Sequence, residues 1–130
     1  MSAPKVSRDV SAIDTSSILN LLGDAVVAVG ESGVIEYVNH AAEQMFGLGS
    51  HTLVGSSLDK FITSDSPLFF MIEKSRSTGA SYAERSIRIE GPRLEEREVS
   101  VHAQPGYDNS GIVVLSLHEQ SLAQHIDRQL

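Results

Sequence analysis

The sequence contains no cysteine and no tryptophan. Without a thiol, disulfides, thiolate nucleophiles, cysteinyl flavin adducts and Cys-ligated zinc are all excluded. No stretch approaches the roughly 18 consecutive apolar residues of a membrane-spanning helix, and Met1–Ser17 lacks the apolar core of a signal peptide. The expected setting is therefore cytoplasmic and reducing, with no membrane partner. Positive charge is scarce: 10 Lys and Arg stand against 17 Asp and Glu, a formal net charge of −7. That balance does not supply the basic face on which nonspecific nucleic-acid binding depends, so no nucleic-acid partner is expected. What is present is an ordinary globular composition, 41% hydrophobic over 130 residues. This is the size of one domain, able to bury roughly two-thirds of its unfolded surface without staples.

Along the chain, residues 1–13 mix Ser, Pro and isolated charges without a period and read as a flexible leader. Asp14 or Thr15 can cap a short helix that carries Ile18, Leu21 and Leu22 on one face and stops at Gly23. Two β-branched runs, Ala25–Val29 and Val34–Val38, flank a tight Gly30-Glu31-Ser32-Gly33 turn and predict a hairpin. From Asn39 the period becomes helical through Ala41, Ala42, Met45 and Phe46. Short pieces follow to Thr63, then a longer helix that opens at Pro67 with Asp65 or Ser66 as cap and ends at Gly79. Three strands close the domain: Tyr82–Glu90 with Ala83, Ile87 and Ile89 on one face, Arg97–Ala103, and Ile112–Leu117. Leu122 and Ile126 begin a terminal helix. The expected fold class is α+β, a five-stranded antiparallel sheet with a helix cluster between strands 2 and 3 and helices at both termini. The first and last strands lack a polar face, so both of their sides call for cover, one from the helix cluster and the other from a terminal helix folded back on the sheet or from a second subunit.

The run Val26-Val27-Ala28-Val29, Gly33, Ile35-Glu36-Tyr37-Val38-Asn39, Ala41-Ala42-Glu43, Phe46-Gly47 and Leu53-Val54-Gly55 resembles a PAS domain over roughly residues 17–119. Asp65-Ser66-Pro67-Leu68, Gly79-Ala80-Ser81, Pro92-Arg93-Leu94 and the ending from His118 to Leu130 further resemble the nitrogen-regulation sensor histidine kinases. The resemblance implies a PAS fold at residues 14–119, with residues 120–130 starting a signalling helix toward a kinase core. The sequence contains no His-Glu-x-x-Asn-Pro phosphoacceptor box and no Gly-rich ATP lid. It thus looks like the sensory part of such a kinase, and no catalysis is expected of this fragment. By the same resemblance, the intact parent would phosphorylate itself on His and pass the phosphoryl group to a response regulator. A PII-type protein would control it through regions absent here.

Candidate sites follow from the residues themselves. Asn39, at a strand-to-helix junction, can accept from an orphan amide at the second or third helical position. The apolar faces Ile18, Leu21, Leu22, Leu122 and Ile126, with Val27, Val29, Leu115 and Leu117 of the first and last strands, form a candidate dimer and signalling interface. A twofold homodimer is the expected partner arrangement. The alternative is a sensor of flavin or a small metabolite, its pocket lined by Met45, Phe61, Phe69, Phe70 and Met71; the same residues serve equally as core. The PAS resemblance implies that heme would call for a His on the long helix and a flavin adduct for a Cys in the helix cluster; the sequence has neither there, and no cofactor is assigned. The spacing of His102, His118 and His125 matches no compact ligand set, and no metal is expected. Gly47-Leu48-Gly49 follows a helix and lacks a third Gly, so it is no dinucleotide fingerprint. The run Glu95-Glu96-x-Glu98 between Arg93 and Arg97 reads as a solvated hairpin.

Overall fold

The computed structural model describes residues 23–106 and 110–119. The elements, in chain order, are strands β1 (Ala25–Val29) and β2 (Ile35–Val38), helices α1 (His40–Phe46) and α2 (Ser50–Leu53), a 3-10 turn at Leu58–Lys60, helix α3 (Pro67–Thr78), and strands β3 (Tyr82–Ile89), β4 (Arg97–Pro105) and β5 (Val113–Glu119). All strand pairs are antiparallel, in the order β2-β1-β5-β4-β3. The two strands without a polar face therefore lie side by side, inside the sheet rather than at its edges, Val27 opposite Leu115 and Ala25 opposite Leu117. The expected leader, leading helix and trailing helix fall outside the described residues.

The helices begin and end where side-chain chemistry allows. Ser66 accepts from the Leu68 amide at 3.2 Å and Pro67 occupies the first helical position of α3. There the missing amide costs nothing and the fixed φ suits the helix. Gly79 closes α3 in the left-handed region at φ 74°, a conformation that residues with a Cβ resist. The helix then buries Leu68, Met71, Ile72 and Ser75 against the sheet. Ser75 is fully buried, and its hydroxyl donates to the Ala80 carbonyl at 2.8 Å.

One core lies between the sheet and the helix cluster. Val27, Val29, Ile35, Leu53, Leu58, Ile62, Leu68, Ile89, Val99, Val113, Leu115 and Leu117 are each under 2% exposed. Burying each of the Val, Leu and Ile side chains contributes about 1.5–3 kcal/mol before conformational entropy is set against it. Phe46 and Phe61 meet edge to face with ring centroids 6.3 Å apart, the arrangement their quadrupoles favour. Among the described residues, no buried side-chain nitrogen or oxygen lacks a partner.

Two details of β3 matter for facing and packing. The ladder between β3 and β4 shifts register between Glu84 and Ile87. This bulge places Ala83 on the solvent side, while Ile87 and Ile89 point into the core. Simple alternation puts all three together, and an extra residue inverts the facing. Beyond β3, Gly91 passes so close to the helix cluster that a Cβ there would overlap the Phe61 carbonyl oxygen.

Candidate functional site: the Asn39 junction and the outer face of the sheet

Asn39 is 3% exposed, and both ends of its amide are bonded. Its Oδ1 accepts from the Ala42 amide, at the third helical position of α1, and from the Val26 amide, both at 2.9 Å. Its Nδ2 donates to the Asp24 carbonyl at 2.9 Å, and its own backbone amide donates to the Val26 carbonyl at 3.1 Å. The side chain thus caps α1 and fastens it to the start of β1. One oxygen satisfies a helix donor and a strand donor that would otherwise be buried unpaired.

The other side of Asp24 faces a second partner. Its Oδ1 lies 2.8 Å from Nδ1 of His118, near the end of β5. At the last residue of that strand, Glu119 Oε1 and Arg97 Nη1 are 3.0 Å apart. A cleft of about 230 Å³ at this edge is lined by Gly23, His40, Ala41, Gln44, Met45, Arg97 and Glu119. The first helix, the beginning of β1 and the end of β5 therefore meet at one place.

The outer face of the sheet, opposite the helices, carries an open hollow of about 440 Å³. Ala83, Ser100 and Ser116 make its floor low, and Asp24, Arg85, His102 and His118 stand around it. Its extension across the central strands is nearly apolar. Val26 pairs with Ser116 and Ala28 with Val114; Val26 is 5% exposed, and the other three are half-buried.

These positions correct part of the expected interface. Val27, Val29, Leu115 and Leu117 belong to the core, because the strand period of two turns them toward the helices. The residues that face outward on the same strands are Val26, Ala28, Val114 and Ser116. Ile18, Leu21, Leu22, Leu122 and Ile126 lie outside the described residues.

The expected pocket lining is likewise divided. Phe70 is 68% exposed on the outer side of α3 and lines no interior. It adjoins Phe69 and Met71 in sequence, but the buried stripe of the helix runs through Leu68, Met71, Ile72 and Ser75 and leaves Phe70 on the far side. Met71 is part of the core, with Met45, Phe61 and Phe69 packed against it, half-buried. Met45 lines the cleft beside Glu119, whereas Phe69 lines a different one, about 210 Å³, with Val29, Leu58, Ile72 and Arg76.

Arg76 borders that second cleft and holds three segments together. Its Nε donates to the Gly111 carbonyl at 2.9 Å, Nη2 to the Gly30 carbonyl at 2.8 Å, and Nη1 to Glu73 at 2.7 Å. Glu43 ties α1 to α2 in a similar way. Its carboxylate accepts from the Ser50 amide at 2.6 Å, the start of α2, with His40 at 3.4 Å. The Ser50 amide bond is the main reason this carboxyl titrates below the usual glutamate range, with His40 adding to it. Among the described residues, no three His, Asp or Glu gather as a metal ion would require, and His118 lies opposite Ser100 rather than His102. Asp24 and Arg76 carry no signal in the sequence. Their partners outside their own helix lie 15 to 94 residues away, and only the folded topology brings them together.

A five-stranded antiparallel sheet in the order 2-1-5-4-3, with a helix cluster inserted after its second strand and packed on one face, defines the class: the chain belongs to the PAS family, whose fold is matched over residues 13–119. Within it, the chain is similar to the sensory histidine kinase/phosphatase NtrB. It is 33% identical to that of Rhizobium meliloti over 115 residues, 88% of this chain and 30% of that protein. It is 32% identical to that of Azospirillum brasilense over 118 residues, 91% of this chain and again 30% of the relative. The chain thus spans about 30% of the length of these relatives. Among solved structures, the PAS domain of nitrogen regulation protein NR(II) from Vibrio parahaemolyticus superposes with a TM-score of 0.71. It is 19% identical, with 82% of this chain and 97% of that one covered.

Proposed function

We propose that this chain is the sensory and dimerisation domain of an NtrB-like two-component histidine kinase, and that it signals through the segment after β5. On this reading the domain is itself non-catalytic and works in the cytoplasm. The parent kinase would supply autophosphorylation, its response regulator and a PII-type partner through regions beyond this chain. No helix among the described residues is long and apolar enough to cross a membrane.

The observation that carries the reading is the outer face of the central strands. Ala28 and Val114, both half-buried, are the accessible part of an apolar strip beside the hollow, on the two strands that lead to the terminal segments. Interfaces place such low-polarity area at their centre with polar residues around it. The segments that continue from these strands carry Ile18, Leu21 and Leu22 on one side and Leu122 and Ile126 on the other. A twofold axis near the strip would bury both sets in one interface. The side chains that fill the space between sheet and helices favour this reading over the metabolite sensor, because they pack on one another.

The test is the oligomeric state of Leu21→Glu, Leu122→Glu and Val114→Arg. Each places an unpaired charge in the proposed interface, at a cost that dissociation avoids. All three are expected to weaken the dimer while the far-UV circular dichroism of the sheet stays unchanged. Variants that remain dimeric at the concentrations where the wild type is dimeric would place the interface elsewhere.

A further inference from the structure

We infer that Asp24 is the positioning residue that couples helix α1 to the end of β5. The inference rests on the reading that the signal leaves through the segment after β5, and adds the residue through which it would pass. Asp24 bonds to both sides of the junction. Its backbone carbonyl accepts from Nδ2 of Asn39, 2.9 Å away, and its carboxylate lies 2.8 Å from Nδ1 of His118. Asn39 in turn holds the third amide of α1. The chain of contacts therefore runs from α1 through Asn39 and Asp24 to His118, one residue before the last of β5. Asn39 also bonds Val26 of β1, which pairs with Ser116 of β5, and this main-chain route holds the strands to α1 along their length. The Asn39–Asp24 bond adds a second route, which ends on the side chain of His118.

The geometry also assigns the proton. A carboxylate only accepts, so neutral His118 in this pair carries hydrogen on Nδ1 and leaves Nε2 as the acceptor. Movement of α1 that shifts Asp24 loosens this bond and releases the imidazole from a single tautomer. Asp24 and His118 are both partly exposed, at 27% and 52%, so the coupling is modest in size and adjustable. A link in a signalling path has to be breakable, and an exposed pair contributes little enough for that.

The test reads the 15N resonances of His118 in the 130-residue chain, wild type against Asp24→Asn and Asn39→Ser. Serine keeps an oxygen to cap α1 but has no nitrogen to donate to Asp24. Wild type is expected to show the Nδ1–H tautomer, Asp24→Asn a mixture, and Asn39→Ser a displacement toward that mixture. Should Asn39→Ser fail to fold, the reverse direction serves. In His118→Phe, an exposed substitution, the side-chain amide protons of Asn39 should exchange about two- to fivefold faster. His118 resonances that do not move in Asn39→Ser, or Asn39 protons that exchange at the wild-type rate in His118→Phe, would overturn the proposal. So would a His118 tautomer indifferent to Asp24→Asn. Light scattering on the same samples separates this from the parent reading. A monomeric wild type with the coupling intact sinks the dimeric sensor alone, and a dimer without the coupling sinks the Asp24 link alone.

Discussion

Replacing Arg76 with methionine tests how the far end of the domain is held. The change keeps an unbranched apolar stem in α3 and removes the guanidinium. Two carbonyls then lose a charged donor: Gly30, in the turn between β1 and β2, and Gly111, before β5. Hydrogen bonds from charged groups contribute about 1.5–3 kcal/mol each, and less where water can replace the donor. The Arg76 side chain is 15% exposed, so water reaches the vacated carbonyls only in part. Together the two bonds give an expected loss of about 2–4 kcal/mol. The third contact weighs little, because Glu73 is 70% exposed and such an i, i+3 pair contributes at most about 0.5 kcal/mol. For a domain near 100 residues, a loss of 2 kcal/mol lowers Tm by at least about 8 °C. Urea unfolding followed by far-UV circular dichroism measures the loss, with Glu73→Gln as the control expected to change stability by less than about 0.5 kcal/mol. An Arg76→Met variant within about 0.5 kcal/mol of wild type, inside the spread of ordinary surface substitutions, would mean that Arg76 does not hold these segments together. The carbonyls would then be served by water.

Two further outcomes follow from single contacts. In Gly91→Ala the new methyl would overlap the Phe61 carbonyl, and backbone must move to admit it; destabilisation of about 1–3 kcal/mol is expected in the same denaturation assay, and a neutral result would show that the β3–β4 turn is free to lift away. Glu43 titrates below its ordinary value, so it favours the folded state above the unfolded-state pKa of about 4.3. That contribution fades as pH falls through the lowered folded value. Glu43→Gln is expected to flatten the acid limb of a stability–pH profile; an unaltered acid limb would show that the Ser50 bond does not hold in solution.

The element order is plain in the sequence because each boundary carries its own chemistry. Ser66-Pro67 starts α3, Gly79 ends it, and Asn39 marks the change of period from strand to helix. The PAS resemblance is legible in the same residues. Which strands are neighbours is only implied: β1 and β5 are the strands with apolar residues on both faces, and hydrophobicity alone does not say that they pair. Facing is harder. Val27 and Leu115 read as interface residues because a strand with two apolar faces gives no cue to which is inward. Ala83 reads as a partner of Ile87 because the bulge has no signature in this stretch. Phe70 reads as pocket lining because Phe69-Phe70-Met71 is a continuous apolar run in which period cannot separate inner from outer. Asp24, Arg76 and His118 form contacts across 35 to 94 residues, and nothing local announces them.

The proposed mode of action is pairing of this PAS domain with a second copy through the outer face of its sheet. Light scattering of the purified 130-residue chain across a dilution series, with an absorbance spectrum of the same sample, tests it most directly. A colourless species of twice the chain mass that dissociates only on dilution is expected. A species of single chain mass at every concentration, or a coloured one, would contradict it and turn attention to a ligand held by the helix cluster.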